Sequence, residues 1–268
     1  MQQKKNHHSA RHRVLGVIPA RYDSTRFPGK MLAPLAGKTL LQHTYENAKD
    51  CSALDAIIVA TDDSRIDDHV ASFGGVSVMT SKDCLTGTDR IAEVIEHHRE
   101  YASYDIIVNI QGDEPTISTK TLEATISVLD HDAEAVMATV AAPITDDAES
   151  FDVNVVKCVI DCHGNALYFS RAPIPWRGDL RESLSYRHIG LYAFRRQFLL
   201  QLAVLPATPL QISESLEQLK ILEHGYRIKV AIVDDRSIGV DTPEDLNKVE
   251  QLLCTRNSYS SLAGSSLH

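Results

Sequence analysis

The sequence is short of the features that assign a protein at sight. No stretch of its 268 residues approaches the roughly 18 consecutive apolar residues that a membrane span requires, and the start MQQKKNHHSARHR has no apolar signal core. A cytoplasmic protein with no membrane partner is therefore expected. Five cysteines, Cys51, Cys84, Cys158, Cys162 and Cys254, are odd in number and form no C-x-x-C pair. That argues against a disulfide framework or a zinc ribbon, and for small buried hydrophobes. The patterns G-x-x-x-x-G-K-S/T, G-x-G-x-x-G, H-E-x-x-H and G-x-S-x-G are all missing. P-loop hydrolysis, ordinary dinucleotide binding, zinc proteolysis and serine-esterase chemistry lose their main support. Positive charge is scarce too: 27 Lys and Arg against 36 Asp and Glu give a net charge of −9, which disfavours a nucleic-acid partner.

What is present is a hydrophobic fraction of 43%, enough for a core, arranged in alternating elements. Val14–Ile18, Ala56–Ala60, Ile106–Ile110 and Ala135–Val140 are short and rich in Val, Ile and Ala, as suits strands buried on both faces. Leu40, Leu41, Thr44, Tyr45 and Ala48 share one helix face, Ile66, Val70 and Phe73 a second, and Ile91, Val94 and Ile95 a third. This alternation predicts an α/β fold with a parallel sheet and ligands at the carboxyl ends of its strands. After about Pro143 the pattern turns β-rich, with a hairpin over Val155–Ile160 and Ala166–Ser170 about Gly164, and a strand at His188–Phe194. A helix stopped by Gly225, a strand over Arg227–Val233 and a last helix capped by Thr242 with Pro243 at its first position complete the chain. The expected organisation is a polar, disordered leader (1–13), one α/β domain (14–254) with a β-rich excursion at about 155–194, and a Ser-rich tail (255–268).

Three segments follow strands and so occupy ligand-binding positions. Pro19-Ala-Arg-Tyr-Asp-Ser-Thr-Arg-Phe-Pro-Gly-Lys30 packs Arg21, Arg26, Lys30, Ser24 and Thr25 into twelve residues of an acidic chain. Arg forks, a Lys point charge and short hydroxyl residues suit the oxygens of a triphosphate. Asn109-Ile-Gln-Gly-Asp-Glu-Pro115 offers Asp113 and Glu114 to a hard cation, with Gly112 allowing close backbone approach. In Ile238-Gly-Val-Asp-Thr-Pro-Glu-Asp245, Asp241 precedes the last helix and is either a further metal carboxylate or helix-end electrostatics.

With Gly87-Thr-Asp-Arg90, Tyr168-Phe-Ser-Arg171 and Arg187-His-Ile-Gly-Leu-Tyr192, these segments recur in order and closely resemble the 3-deoxy-manno-octulosonate cytidylyltransferase (CMP-Kdo synthetase) family over about residues 14–253. The resemblance implies a nucleotide-diphospho-sugar transferase-like fold, a mixed and mainly parallel sheet between helices with a β-rich dimerisation arm. It implies in-line attack by the anomeric hydroxyl of Kdo on the α-phosphate of CTP, giving CMP-Kdo and diphosphate for lipopolysaccharide biosynthesis. Mg²⁺ is the implied cofactor, with Asp113 and Asp241 as its ligands. Arg21, Ser24, Thr25, Arg26, Lys30, Arg90 and Asp113 would bind the nucleotide, and Arg21, Lys30, Asp113 and Asp241 would be catalytic. Gln111, Arg171, His188, Tyr192, Glu217 and Gln218 would form the sugar pocket, although His188 could equally be a satisfied buried imidazole. Gln211-Ile-Ser-Glu214 departs from the Glu-His-Ile-Glu of many members, which leaves the roles of Glu214 and Glu217 open. Other readings are activation of another sugar acid (8-amino Kdo or a sialic acid), a metal-dependent glycosyltransferase, or a nucleotide sensor. The glycosyltransferase would place Asp-x-Asp where this chain has Gln111-Gly-Asp-Glu, and a sensor should have lost Lys30 or an aspartate. A homodimer through the excursion is expected, because a projecting hairpin needs a surface to pack against.

Overall fold

The computed structural model describes residues 11–24, 27–176, 185–235 and 237–264. Thr25, Arg26, most of the leader, residues 177–184 of the expected arm and the last four residues lie outside the described residues.

The buried apolar run at the start becomes β1 (Val14–Ala20), and a 3-10 turn at Lys30–Leu32 leads to a small ribbon, β2 (Pro34–Leu35) and β3 (Lys38–Thr39). Thr39 caps α1 (Leu40–Lys49) by accepting from the Gln42 amide. The next units are β4 (Ala56–Thr61), α2 (Ser64–Ser72), β5 (Ser77–Met79), α3 (Gly87–His97), β6 (Ile106–Asn109), α4 (Thr119–Asp130) and β7 (Met137–Pro143). A short α5 (Asp147–Phe151) precedes the hairpin of β8 (Lys157–Ile160) and β9 (Ala166–Ser170), and then comes β10 (Tyr186–Arg195). The chain ends with α6 (Arg196–Val204), α7 (Pro209–Glu214), α8 (Glu217–Glu223), β11 (Ile228–Ile232) and α9 (Pro243–Gly264).

The sheet runs β11-β7-β10-β6-β1-β4-β5, and β8 and β9 extend from β10. β6, β1, β4 and β5 are mutually parallel, as are β7 and β11; β10 lies antiparallel to both of its neighbours. Its central place differs from the expected excursion: the strand at His188–Phe194 is an interior strand of the body, and only β8 and β9 lie off the main path. Tyr192 pairs with Asn109, so the first half of β10 reaches the edge where β6 ends.

Alternation along β1 explains the two core layers. Val14, Ile18 and Ala20 face one layer with α1 and α4, while Leu15 and Val17 face the other with α3 and α6. A third cluster of Leu35, Leu40, Val240 and Val249 fastens α9 to the β2–β3 ribbon. Burying each such side chain fully stabilises by about 1.5–3 kcal/mol, and these clusters fix the strand ends on which the polar loops stand.

Two boundaries differ from expectation. The leader is engaged from Arg11: the Arg13 backbone N–H donates to Asp105 (2.9 Å) and its guanidinium covers the Tyr104 ring at 4.3 Å. At the other end α9 continues to Gly264, through most of the expected tail. Of the cysteines, Cys51 and Cys158 are buried as expected, Cys84 is half-buried, and Cys162 and Cys254 are exposed.

Candidate active site

At the carboxyl edge of β1 and β6 lies a cavity of about 440 Å³, lined among others by Arg21, Ser24, Lys30, Arg90, Asp113 and Asp241. The loop after β1 closes on itself, with the Gly29 amide donating to Tyr22 O (2.9 Å). Gly29 has φ +70°, and a Cβ there would stand 3.1 Å from the Tyr22 hydroxyl, so glycine is required. The turn delivers Lys30, 8% exposed, into the cavity floor.

Lys30 Nζ donates to Asp113 Oδ2 (2.6 Å), Val240 O (3.0 Å) and Asp241 Oδ1 (3.3 Å). Asp113 and Asp241 are 128 positions apart, and a backbone bond from the Val240 amide to Asp113 O (2.9 Å) brings their loops together. The cap of α9 fixes the same loop: the Thr242 amide donates to Asp245 Oδ2 (3.2 Å), and the Asp245 amide donates to Thr242 Oγ1 (3.2 Å). Two carboxylates thus converge on one cation position. Among the described residues no group of three or more His, Cys, Asp or Glu side chains gathers around a metal position. Asp113 and Asp241, the two carboxylates expected to hold Mg²⁺, meet here on Lys30 Nζ, and two carboxylates are a donor set that fits Mg²⁺ when phosphate and water oxygens complete it.

Glu114, the other carboxylate considered for a cation, turns away into a second cavity of about 320 Å³. Its Oε2 is buried without a partner. Burial, then the nearby Asp113 and Asp235 charges, pushes its carboxyl up to about 8. Gly112 is a close approach of protein to protein, since a Cβ there would meet Met31 Sδ at 2.9 Å.

Arg90 is far from an exposed helix arginine: it is 3% exposed, and its guanidinium donates to Thr80 Oγ1 and to Asp62 Oδ2 (3.0 Å). Asp62 was not legible as its partner, because nothing in a turn after a strand marks it. The helix start that carries Arg90 is fixed by Thr86 and Asp89, which form a reciprocal capping box.

The second cavity gathers His188, Tyr192 and Gln218 with Glu114, Arg187 and Gly190. Gln111 borders the first cavity, and its Cγ lies 3.8 Å from a Cβ built on Gly190, so the two spaces adjoin. A register shift in β10 between Ile189 and Tyr192 re-aims its side chains there. Thr139 donates its hydroxyl to Leu191 O (2.8 Å), so the 2.8 Å contact with His188 Nε2 has the ring N–H donating. Burial pushes the imidazole down to about 3, and it is neutral. His188 is a satisfied imidazole that also lines this cavity. Glu217 borders the first cavity and accepts from Thr88 Oγ1 (2.9 Å). Gln218 is buried, with Nε2 lacking a protein partner.

Arg171 stands apart from these cavities. Its guanidinium donates to Glu214 O (3.2 Å) and Val153 O (3.0 Å), and its amide to Glu214 Oε2 (3.0 Å). Glu214 also accepts from Ser170 Oγ (2.6 Å) and so holds the end of β9.

The chain matches the cytidylyltransferase family over residues 15–229. It is 53% identical to the 3-deoxy-manno-octulosonate cytidylyltransferase of Protochlamydia amoebophila, over 92% of this chain and 96% of that protein. The protein of the same name in Chlamydia pneumoniae is 49% identical, over 91% and 96%. This chain belongs to the 3-deoxy-manno-octulosonate cytidylyltransferase family. A solved CMP:2-keto-3-deoxy-manno-octonic acid synthetase complexed with CTP superposes with a TM-score of 0.86 at 38% identity, covering 91% of this chain and 99% of that one. The 4-diphosphocytidyl-2C-methyl-D-erythritol synthase of Anaerococcus prevotii shares the fold at a TM-score of 0.60 and 16% identity, covering 91% and 99%.

Proposed function

We propose that this member of the family joins CTP and Kdo to give CMP-Kdo and diphosphate. The observation that carries the proposal is the meeting of Lys30, Asp113 and Asp241 in a cavity that adjoins a second one lined by the hydrogen-bonding groups His188, Tyr192 and Gln218 beside the Arg187–Glu149 ion pair. The first space suits the nucleotide, with Arg21, Ser24 and Lys30 toward the phosphates and the Thr86–Arg90 segment toward the base. The second suits a polyhydroxylated acid, which needs donors and acceptors such as Gln111, His188, Tyr192 and Gln218.

Attack by the anomeric hydroxyl on the α-phosphorus forms one P–O bond as the bond to diphosphate breaks. Little covalent work falls to side chains, so catalysis is positioning and charge compensation. Lys30 supplies a fixed cation beside the leaving group, and Asp113 and Asp241 keep that ammonium in place. The same two carboxylates would hold Mg²⁺, which when bound neutralises phosphate charge. His188 is neutral with Nε2–H committed to Thr139, so it acts by shape and hydrogen bonding and transfers no proton.

We also propose a homodimer and a cytoplasmic setting. Phe151, Val153, Leu167 and Trp176 are 69%, 63%, 61% and 93% exposed on β9 and the segments flanking the hairpin, an apolar surface that a second copy would cover. Light scattering at micromolar concentration should give twice the chain mass. No helix among the described residues is long and apolar enough to cross a membrane. The functional test is diphosphate release from CTP with Mg²⁺ against a panel of sugar acids, with product mass determined. Kdo should be the preferred acid and CTP the preferred nucleotide; no release with Kdo, or equal turnover with UTP, would overturn the proposal.

A further inference from the structure

We propose that Glu93 is a positioning residue for the nucleotide, holding the loop Ser81–Leu85 in the shape that walls the larger cavity. This rests on the reading of that cavity as the nucleotide's. Glu93 lies on α3 one turn after Arg90 and reaches back to the loop with both carboxylate oxygens. Oε1 accepts from the Ser81 amide (2.6 Å) and Oε2 from the Cys84 thiol (2.9 Å). Arg90 grips the start of the same loop, donating to Thr80 Oγ1 and more weakly to Ser81 O (3.5 Å). Asp89 holds its end, accepting from the Thr86 amide (3.0 Å).

Between these anchors the chain exposes Leu85, 83% accessible, at the rim, and Cys84, Leu85, Thr86 and Gly87 all line the cavity. An apolar side chain so open has little packing of its own, so the conformation of this wall depends on the polar anchors. Two charge-assisted bonds from one carboxylate fix two loop positions three residues apart, which removes most of the backbone freedom between them. The Cys84 thiol is a donor here and no nucleophile: burial and the adjacent Glu93 carboxylate push it up to about 12.

The test compares wild type with Glu93→Ala, Glu93→Gln, Cys84→Ala and Cys84→Ser, reading KM for CTP, KM for Kdo, kcat, and CTP affinity by calorimetry. Glu93→Ala should raise KM and Kd for CTP about tenfold, with KM for Kdo and kcat within about threefold. Cys84→Ala should cost about threefold in CTP affinity, and Cys84→Ser should recover to within about twofold because its hydroxyl donates to Glu93 from the same place. Glu93→Gln should release the thiol from a neighbouring charge, so peptide-resolved alkylation of Cys84 at pH 8 should speed up. If Glu93→Ala fails to fold, the two Cys84 variants carry the test. Unchanged CTP affinity in the alanine variants, an equal rise in both KM values, or no recovery with serine would overturn the inference. A wild type that binds CTP but makes no CMP-sugar would overturn the functional reading and leave the clamp measurable by affinity; one that binds no CTP would overturn both.

Discussion

The phosphate end of the site and its sugar end are built on opposite principles. At the phosphate end one buried ammonium stands between two carboxylates, and every member of that set comes from a loop that follows or nears a strand end. At the sugar end the neutral groups His188, Tyr192 and Gln218 come from the interior strand β10 and from α8, where they line the cavity partly as structural side chains, and the one guanidinium beside them, Arg187, is paired with Glu149 (3.4 Å). The first region concentrates charge where charge moves during reaction. The second offers hydrogen bonds for recognition, since an unpaired charge there would be costly to desolvate.

The largest effect should come from the two carboxylates. Asp113→Asn and Asp241→Asn should each lower synthesis about a thousandfold or more while the volume of the side chain is kept. Diphosphate release across a Mg²⁺ titration checks this; normal activity of either variant at limiting Mg²⁺ would reduce that residue to a turn or helix-end carboxylate. Lys30→Ala should cost about 10²–10³ in turnover, the loss of one preorganised charge at the leaving group. It also takes from Asp113 and Asp241 the ammonium that they share. Added Mg²⁺ should therefore raise the melting temperature of Lys30→Ala more than that of wild type, and an equal rise in both would break the supposed sharing of one cation position.

The sugar end should respond differently. Gln218→Leu removes a buried amide whose Nε2 has no protein partner. KM for Kdo should rise about tenfold, with KM for CTP unchanged, since the site loses a donor that only the sugar acid meets. A variant that weakens both substrates alike would show that Gln218 is part of the wall and not of recognition.

The same contrast decides what was legible in the sequence. Arg21, Ser24, Lys30, Asp113 and Asp241 lie within short motifs, the first four after the buried strands β1 and β6, which short runs rich in Val and Ile locate well. That Lys30 would sit between the two aspartates was not legible, because it depends on a backbone bond between loops 128 positions apart. At the sugar end His188 and Tyr192 were nameable only through resemblance, and their strand was misplaced as an excursion. A strand with alternating apolar residues reads the same whether it projects or inserts between two others, and β10 inserts. Arg171 shows the converse: a motif residue whose guanidinium is taken up by the carbonyls of Val153 and Glu214. Glu93 carried no signal, since one carboxylate on a helix face is ordinarily solvated, and α4 escaped because its apolar stripe is diluted by threonines.

The smallest expected effect is on stability, and it tests the neutrality of His188 at the sugar end. Burial depresses the His188 imidazole to about 3 in the folded chain, whereas an unfolded histidine titrates near about 6.5. Between those values the unfolded chain binds a proton that the folded chain refuses, so this residue costs stability as pH falls through about 6.5 and the cost grows toward about 3. His188→Gln keeps a hydrogen-bonding side chain and removes the proton. Denaturant unfolding at pH 7 and pH 5.5 should show wild type losing about 1 kcal/mol more than His188→Gln over that interval, provided the imidazole stays neutral throughout. Equal losses in the two proteins would mean that His188 is protonated in the folded state. The sugar cavity would then hold an imidazolium beside the paired Arg187, and the contrast between a phosphate end that works by charge and a sugar end whose recognising groups are neutral would not stand.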